Sequence, residues 1–309
     1  MALTHLLKLA TAGSLYILST YANPLVSRSV DAGTFANLQL FEQFAAAAYC
    51  PSNNNIPKGG KKLTCPTANN CPLVEADDAT TVYEFQNSLV TDVTGYVAVD
   101  RTRSLTILAF RGSKSVRNYL ADADFPTVAT DICSTCTVDQ GFYNSWLEAR
   151  KGVLNALKST AAANPSYKVV VVGHSLGGAI AAIAAAEIRN SGTSAELYTY
   201  GQPRIGGSAV SNYITNQNKG GNFRTTHYDD PVPRLPPLAL GFVHISPEYY
   251  ISTGNNVPVT ANDITKLSGS INLAGNTGNL GNGFDLAAHG WYFNAVGACD
   301  TSDSLEIYK

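Results

Sequence analysis

The chain has little net charge, few histidines and no second Cys-x-x-Cys pair beside Cys133 and Cys136. With 21 basic and 23 acidic residues it has a formal charge of -2 and no long basic run, which argues against nucleic-acid binding. The missing second pair leaves a four-cysteine zinc site unsupported. No Asn-x-Ser/Thr acceptor with x other than proline occurs, so no N-glycan is expected.

The N-terminus is expected to be a signal peptide over residues 1–22, followed by a short pro-segment over 23–30. It has one cation and no acid up to Lys8, is mostly apolar afterwards and offers small residues for cleavage at Ala22. The apolar stretch is too short and too interrupted for a membrane span. The alternative is an amphipathic first helix of the fold.

Residues 31–309 are expected to form one α/β domain, because no internal repeat or linker divides them and their length suits one large domain. The pattern of apolar residues predicts helices over 31–49, 142–162 and 178–188, a hairpin of 95–99 with 105–110, strands over 169–172, 196–200 and 223–228, and loops over 50–72 and 253–286.

The segment 173–177 reads Gly-His-Ser-Leu-Gly and fits G-x-S-x-G, the nucleophile elbow of α/β-hydrolases. A β-branched apolar run precedes it and an Ala-rich, helix-forming run follows it, which is the strand-turn-helix context that the motif requires. Ser175 is therefore the candidate nucleophile.

A serine nucleophile needs a histidine base and an acid that orients it, in the chain order Ser, acid, His for this fold. His5 lies in the expected signal peptide, His174 adjoins the nucleophile, and His227 ends a strand. His289, which follows a long loop, is favoured over His244, which lies in the apolar run 242–251 that is expected to be a strand. Asp229 and Asp230 are both acid candidates, and strand alternation allows only one of them to reach the base.

The six cysteines fit secretion and three disulfides, although six cysteines allow 15 connectivities. Local pairs of Cys65 with Cys71 and of Cys133 with Cys136 would leave Cys50 and Cys299 to join the two ends of the domain.

Several longer motifs extend from about residue 41 to residue 299. They include Ala47-Ala48-Tyr49-Cys50, Phe110-Arg111-Gly112-Ser113, residues 173–179, Tyr200-Gly201-Gln202-Pro203-Arg204, Asp230 with residues 232–237, and Ala288-His289 with Trp291-Tyr292-Phe293. In these motifs the sequence resembles the secreted class 3 triacylglycerol lipases of filamentous fungi. The resemblance implies an α/β-hydrolase fold with a mostly parallel central sheet flanked by helices and a short helical lid.

The resemblance also implies site residues. It gives Ser175 as nucleophile, Asp230 rather than Asp229 as the acid, and His289 as base. The oxyanion hole would consist of the backbone N–H groups of Leu176 and Ser113, and the Ser113 hydroxyl would add a bond. The implied disulfides are 50–299, 65–71 and 133–136.

The lid of the family corresponds here to residues 116–123. Its residues are Val116, Arg117, Asn118, Tyr119, Leu120, Ala121, Asp122 and Ala123. An apolar face of Val116, Tyr119 and Leu120 would cover the site in water and turn outward at a lipid surface. Relatives commonly have tryptophan where this chain has Tyr119. The groove around Val232 and Leu235 is expected to bind the acyl chain.

These observations predict a secreted serine ester hydrolase, foremost a triacylglycerol lipase at the lipid–water interface. No cofactor and no metal is implied. The expected partners are a lipid or ester substrate and, transiently, the lipid interface, with no nucleic acid and with a monomer as the default state. Feruloyl esterase and phospholipase A1 activities remain alternatives, and a non-catalytic lipid-binding protein is a rival of another class.

Overall fold

The computed structural model of the chain describes residues 29–86, 89–113, 124–279 and 285–299. The expected signal peptide, the expected lid and residues 23–28 of the expected pro-segment lie outside these ranges. Within them the strands are β1 (Ala79–Phe85), β2 (Gly95–Asp100), β3 (Leu105–Phe110), β4 (Thr127–Ala129), β5 (Thr137–Asp139), β6 (Lys168–His174), β7 (Ala195–Tyr200), β8 (Asn222–His227), β9 (Glu248–Ile251) and β10 (Ile264–Leu267). The α-helices within them are α1 (Ala32–Ala47), α2 (Pro72–Ala76), α3 (Gln140–Ala163), α4 (Leu176–Asn190), α5 (Ser208–Asn216) and α6 (Leu286–His289).

Eight of these strands form one sheet in the order β1-β2-β3-β6-β7-β8-β9-β10, and β4 pairs with β5 in a separate ribbon. The neighbours from β3 to β9 run parallel, whereas β1, β2 and β10 add antiparallel pairs at the two edges. Parallel strands are covered by helices on both faces, which explains the unbroken valine run of β6. The expected α/β fold with a mostly parallel sheet is confirmed.

Helices cover both faces of the sheet. One apolar core joins α1 to one face, and a second core joins α3, α4 and α5 to the other face. The 24-residue α3 is amphipathic, with Trp146 and Val153 fully buried on its inner side. No helix in the described ranges is both long enough and apolar enough to cross a bilayer.

The Ala-rich helix α4 is buried almost all round, with 12 of its 15 residues inaccessible. Alanine and glycine side chains are small, so the helix packs closely between β6, β7 and α3. This close packing holds the N-terminus of α4, and with it the elbow, at the carboxyl end of β6.

The six cysteines pair as the resemblance implies, 50 with 299, 65 with 71 and 133 with 136. The first bond joins positions 249 residues apart. On the chain-entropy model a loop of this length stabilises the fold by about 5 kcal/mol. This bond ties the end of α1 to the segment that follows His289.

The expectation that residues 253–286 form only loops is wrong in part. β10 lies within that range and pairs antiparallel with β9 along its whole length. The strand has four residues in a Gly- and Asn-rich surrounding, which is too short for an alternating pattern to stand out. β10 is therefore defined by its hydrogen bonds to β9 and not by a pattern in its own sequence.

Candidate active site

Ser175 lies at the sharp turn between β6 and α4, where the sequence predicts a nucleophile elbow. Its backbone has φ 58° and ψ −131°, a conformation that costs energy for any residue with a side chain. Two glycines allow the turn, because a Cβ on Gly173 would lie 2.2 Å from the Gly177 oxygen and one on Gly177 would lie 2.3 Å from the Phe110 oxygen. The strained turn places Ser175 at the carboxyl end of β6, where the residue is buried.

Asp230 and His289 come together although 59 residues separate them. Asp230 follows the end of β8 and His289 is the last residue of α6. Nδ1 of His289 lies 3.0 and 2.9 Å from the two carboxylate oxygens of Asp230. Nε2 of His289 is buried and has no hydrogen-bond partner in the described part of the chain. One side of the imidazole is therefore fixed and the other is available to accept a proton.

Asp230 remains ionised although it is fully buried. Burial raises the pKa of its carboxyl, but the charge and hydrogen bond of His289 and the hydrogen bond of Tyr292 outweigh burial and lower the pKa. The Tyr292 hydroxyl donates to the carboxylate at 2.5 Å, and the Val232 N–H donates to it at 2.9 Å. Burial, and then the charge of Asp230, raises the pKa of Tyr292, which keeps that hydroxyl a donor.

His174 packs against His289 and is bonded to its backbone. Its ring lies 4.6 Å from the ring of His289 at an angle of 33°. Its Nε2 lies 2.9 Å from the backbone oxygen of His289 and its Nδ1 lies 2.6 Å from the Tyr49 hydroxyl. Burial, and then the charge of His289, lowers the pKa of His174 to about 3. The ring is therefore a weak base and is neutral at pH 7.

The buried, neutral His174 predicts a loss of stability in mild acid. Its pKa falls from 6.5 to about 3 on folding, so between these values the unfolded chain binds a proton that the folded chain does not. The contribution of His174 to the free energy of unfolding is therefore largest above pH 6.5 and decreases as the pH falls toward 3. Thermal and urea unfolding at pH 7, 5 and 4 should show the stability difference between the wild type and His174→Gln narrowing as the pH falls. A difference that stays constant across the series contradicts this prediction.

The predicted oxyanion residues lie on both sides of Ser175. β3 runs parallel beside β6 with Phe110 opposite Gly173, so the segment that continues to Ser113 leaves the sheet next to the elbow. A Cβ on Gly112 would lie 2.9 Å from Cβ of Ser175, which shows how closely this segment passes. Leu176 is the first residue of α4, where an N–H has no intrahelical partner.

Hydrogen bonds hold residues 111–113, the segment that ends at Ser113, in place. Nε of Arg111 donates to the Gly112 oxygen at 3.2 Å, and Nη2 of Arg111 pairs with Asp92 at 2.9 Å. The Gly112 N–H donates to the Tyr49 hydroxyl at 3.1 Å. Tyr49 thus contacts both this segment and His174, a role that the local sequence does not indicate.

The two adjacent aspartates have different surroundings. Asp229 faces Arg234, with 3.7 Å between carboxylate oxygen and guanidinium nitrogen, whereas Asp230 faces His289. The backbone after β8 is held by Asn276, whose amide donates to the His227 oxygen at 2.9 Å and to the Asp230 oxygen at 2.8 Å. Asn276 comes from the loop-rich segment, where no pattern singles it out.

The other two histidines are structural. The ring nitrogens of His227 contact the backbone oxygens of Ala288 and Thr253 at 3.0 and 2.8 Å. His244 was expected to lie in a strand, and this is wrong, because β9 begins at Glu248 and His244 lies in the connection before it. It is buried with Nε2 2.6 Å from the Pro233 oxygen, so the apolar surroundings reflect core packing rather than a strand.

A cleft of about 450 Å³ is lined by Leu176, the residue that follows Ser175. Its apolar lining residues are Val90, Phe125, Pro126, Phe142 and Leu176. Val232 and Leu235, the expected acyl-binding residues, do not line this cleft, and Val232 is fully buried below Asp230. The lid residues 116–123 lie outside the described ranges.

Within the described ranges, the sulfur atoms of Cys50, Cys65 and Cys299 lie within 4.8 Å of one another. Each of these sulfurs is already part of a disulfide. A disulfide sulfur is not a thiolate, so this grouping offers no thiolate ligand.

Comparisons with known proteins give the same family as the motifs. The family model for class 3 lipases matches residues 107–240, which include the elbow and Asp230. The model for the lipase 3 N-terminal region matches residues 2–83.

Similar proteins cover nearly the whole chain. A secreted mono- and diacylglycerol lipase A from Penicillium cyclopium is 46% identical over 282 residues, 90% of this chain and 91% of the relative. A secreted mono- and diacylglycerol lipase 1 from Fusarium solani is 40% identical and covers 85% of this chain and 77% of the relative.

The solved structures agree with the sequence comparisons. The crystal structure of a mono- and diacylglycerol lipase from Aspergillus oryzae superposes with a TM-score of 0.80 at 44% identity, covering 85% of this chain and 97% of that one. Identity at this level over nearly the full length of both chains, with the elbow and Asp230 inside the matched model, shows that the chain belongs to the class 3 lipase family.

Proposed function

We propose that this protein is a secreted serine hydrolase of carboxylic esters that acts on acylglycerols at a lipid surface. The observation that supports it most directly is the placement of His289. Asp230 holds Nδ1 of its ring through both carboxylate oxygens, and Nε2 has no partner in the described residues. The ring also lies 4.6 Å from that of His174, which directly precedes the elbow serine. This arrangement suits a general base for a serine nucleophile.

In the first half of the reaction, the Ser175 hydroxyl attacks the ester carbonyl carbon while Nε2 of His289 takes its proton. The carbonyl oxygen becomes an oxyanion that the N–H groups of Leu176 and Ser113 stabilise. His289 then donates the proton to the leaving glycerol oxygen, and the acyl group stays on Ser175. Asp230 stabilises the imidazolium throughout and stays ionised.

In the second half, water attacks the acyl-enzyme and His289 accepts one of its protons. The same two N–H groups stabilise the second oxyanion. Its collapse releases the fatty acid and returns the proton from His289 to Ser175. The chain's own residues supply the nucleophile, the base and the oxyanion donors for both halves.

We infer that mono- and diacylglycerols are among the substrates, because these are the substrates named for the Penicillium and Fusarium relatives. The triacylglycerol activity expected from the sequence remains a prediction for the same assay. Secretion is supported by the relatives' names and by the three disulfides. Residues 116–123 are proposed to form the lid that admits the lipid.

The test measures the rate of hydrolysis of mono-olein, diolein and triolein at substrate concentrations below and above the solubility limit of each. We expect turnover that rises when an emulsion forms and that is higher on the partial glycerides than on triolein. An organophosphate ester should label Ser175, as read by mass spectrometry of the tryptic peptide. Methyl ferulate turnover without emulsion activity would identify a feruloyl esterase, and failure to label would identify a non-catalytic scaffold. Either result overturns the proposal.

A further inference from the structure

Two consecutive aliphatic side chains stand out from the surface. Leu89 is 100% exposed and Val90 is 84% exposed, the two highest values among the large apolar side chains in the described ranges. We call residues 89–91 the rim turn. Two adjacent exposed side chains of this kind form a candidate contact surface, because burying their apolar area in a partner or a lipid phase is favourable.

The rim turn is exposed although its backbone is firmly bound. The carboxylate of Glu148 on α3 accepts hydrogen bonds from the Val90 N–H at 3.3 Å, the Thr91 N–H at 3.1 Å and the Thr91 hydroxyl at 2.6 Å. The next residue, Asp92, pairs with Arg111 at the end of β3. These bonds fix the turn to the body of the protein and direct its side chains into solvent.

The rim turn borders the cleft that Leu176 lines. Val90 and Thr91 line this cleft together with Leu176. We propose that the rim turn is a hydrophobic anchor that inserts Leu89 and Val90 into a neutral acylglycerol surface and so holds the cleft against the lipid. This inference rests on the proposed function, since it concerns the surface from which the substrate enters.

The charges near the rim turn favour a neutral lipid surface over an anionic one. Glu148 and Asp92 adjoin the turn, and Asp124 lines the same cleft. Among the described residues, the cation bonded to this region is Arg111, which is itself buried and already paired with Asp92. Carboxylates at the contact are repelled by phosphate headgroups, whereas uncharged glycerides impose no such cost.

Leu73 provides a matched control. It is also an exposed leucine, but it lies on α2, whose backbone is bonded to Gln43 of α1 on the opposite face of the sheet from α3. The same substitutions at positions 89 and 73 therefore change the same side chain on opposite sides of the molecule.

The experiment measures partition of the full chain, made catalytically inert by Ser175→Ala, onto diolein droplets by flotation. Leu89→Ser is expected to lower the partition constant about 10-fold, and Leu89→Trp to raise it several-fold, since tryptophan favours the interface. Leu73→Ser and Leu73→Trp should leave it unchanged. Vesicles of phosphatidylglycerol should bind the wild type more weakly than diolein droplets do.

Several results overturn the anchor. These are an unchanged partition of Leu89→Ser, an equal loss in Leu73→Ser, or stronger binding to phosphatidylglycerol. Light scattering could also show that the wild type is a dimer and that Leu89→Ser is a monomer. If the partition constant is unaffected, the rim turn is instead a contact between two copies of the chain.

A second readout separates this inference from the proposed function. With Ser175 intact, Leu89→Ser is expected to hydrolyse p-nitrophenyl butyrate below its solubility limit at the wild-type rate. A loss of that activity also contradicts the anchor, because it places Leu89 in the ester site. The wild type could hydrolyse no ester while the Ser175→Ala form still binds droplets in a way that depends on Leu89. That result contradicts the proposed function and leaves the anchor intact.

Discussion

Ser175→Ala is expected to lower kcat for ester hydrolysis by about 10⁶-fold, the scale seen when a triad serine is removed. The hydroxyl is the only group at the elbow that can form the acyl-enzyme, and neither His289 nor Asp230 replaces it. The backbone should keep its geometry, because alanine has the same Cβ at φ 58° as serine has. Turnover of p-nitrophenyl butyrate and of emulsified diolein measures the loss.

The control for this substitution is Ser159→Ala. Ser159 is an exposed serine on α3, and among the described residues its hydroxyl bonds only to the backbone oxygen of Asn155 in the same helix. Its removal should leave kcat unchanged. Unfolding midpoints of both variants should match the wild type within a few degrees. Ester turnover by Ser175→Ala near the wild-type rate would show that another residue is the nucleophile.

Asp230→Asn is expected to lower kcat by about 10⁴-fold with little change in KM, as for the buried acid of other serine triads. The amide has nearly the same shape, but it presents an N–H₂ group and only one acceptor oxygen to Nδ1 of His289 and to the Tyr292 hydroxyl. The imidazole then loses the charge that stabilises its protonated form and the bond that fixes its tautomer.

The matched control is Asp229→Asn, which makes the same chemical change one residue earlier. Asp229 contacts Arg234 and not His289, so its substitution should change kcat by no more than a few-fold. The pair of variants also tests the choice that the sequence pattern left open. Equal losses in both would show that the contact of Asp230 with His289 does not decide activity.

The lowered pKa of Asp230 predicts that the fold loses stability in strong acid. Since folding lowers this pKa, the ionised carboxylate contributes stability at pH values above its ordinary pKa of 3.8. That contribution is lost as the pH falls through the lower, folded value. Asp230→Asn should therefore reduce the steepness of acid unfolding below pH 4.

Local patterns were sufficient for the elbow. A β-branched strand, a Gly-x-Ser-x-Gly turn and an Ala-rich helix follow one another within about 20 residues, and each restricts its own backbone. The structure places Ser175 at that turn with the positive φ that the motif requires. The parallel sheet was likewise predictable, because strands buried on both faces read as continuous apolar runs.

Local patterns were insufficient where contacts are long-range. Asp229 and Asp230 look alike in sequence, and the resemblance to class 3 lipases, not the pattern, chose between them. Tyr292 and Asn276 reach Asp230 from 62 and 46 residues away. β10 was missed because its order comes from pairing with β9 rather than from its own four residues.

The sequence by itself determined the α/β class and the elbow at Ser175, and it predicted the order of nucleophile, acid and base, because these depend on short-range backbone preferences and on chain order. Only the tertiary structure decided how Tyr292 and Asn276 hold Asp230, how Tyr49 and His174 support the site, and where the rim turn stands beside the cleft. Those contacts join segments that are distant along the chain. Their partners are selected by burial and hydrogen-bond geometry, which exist only once the chain has folded.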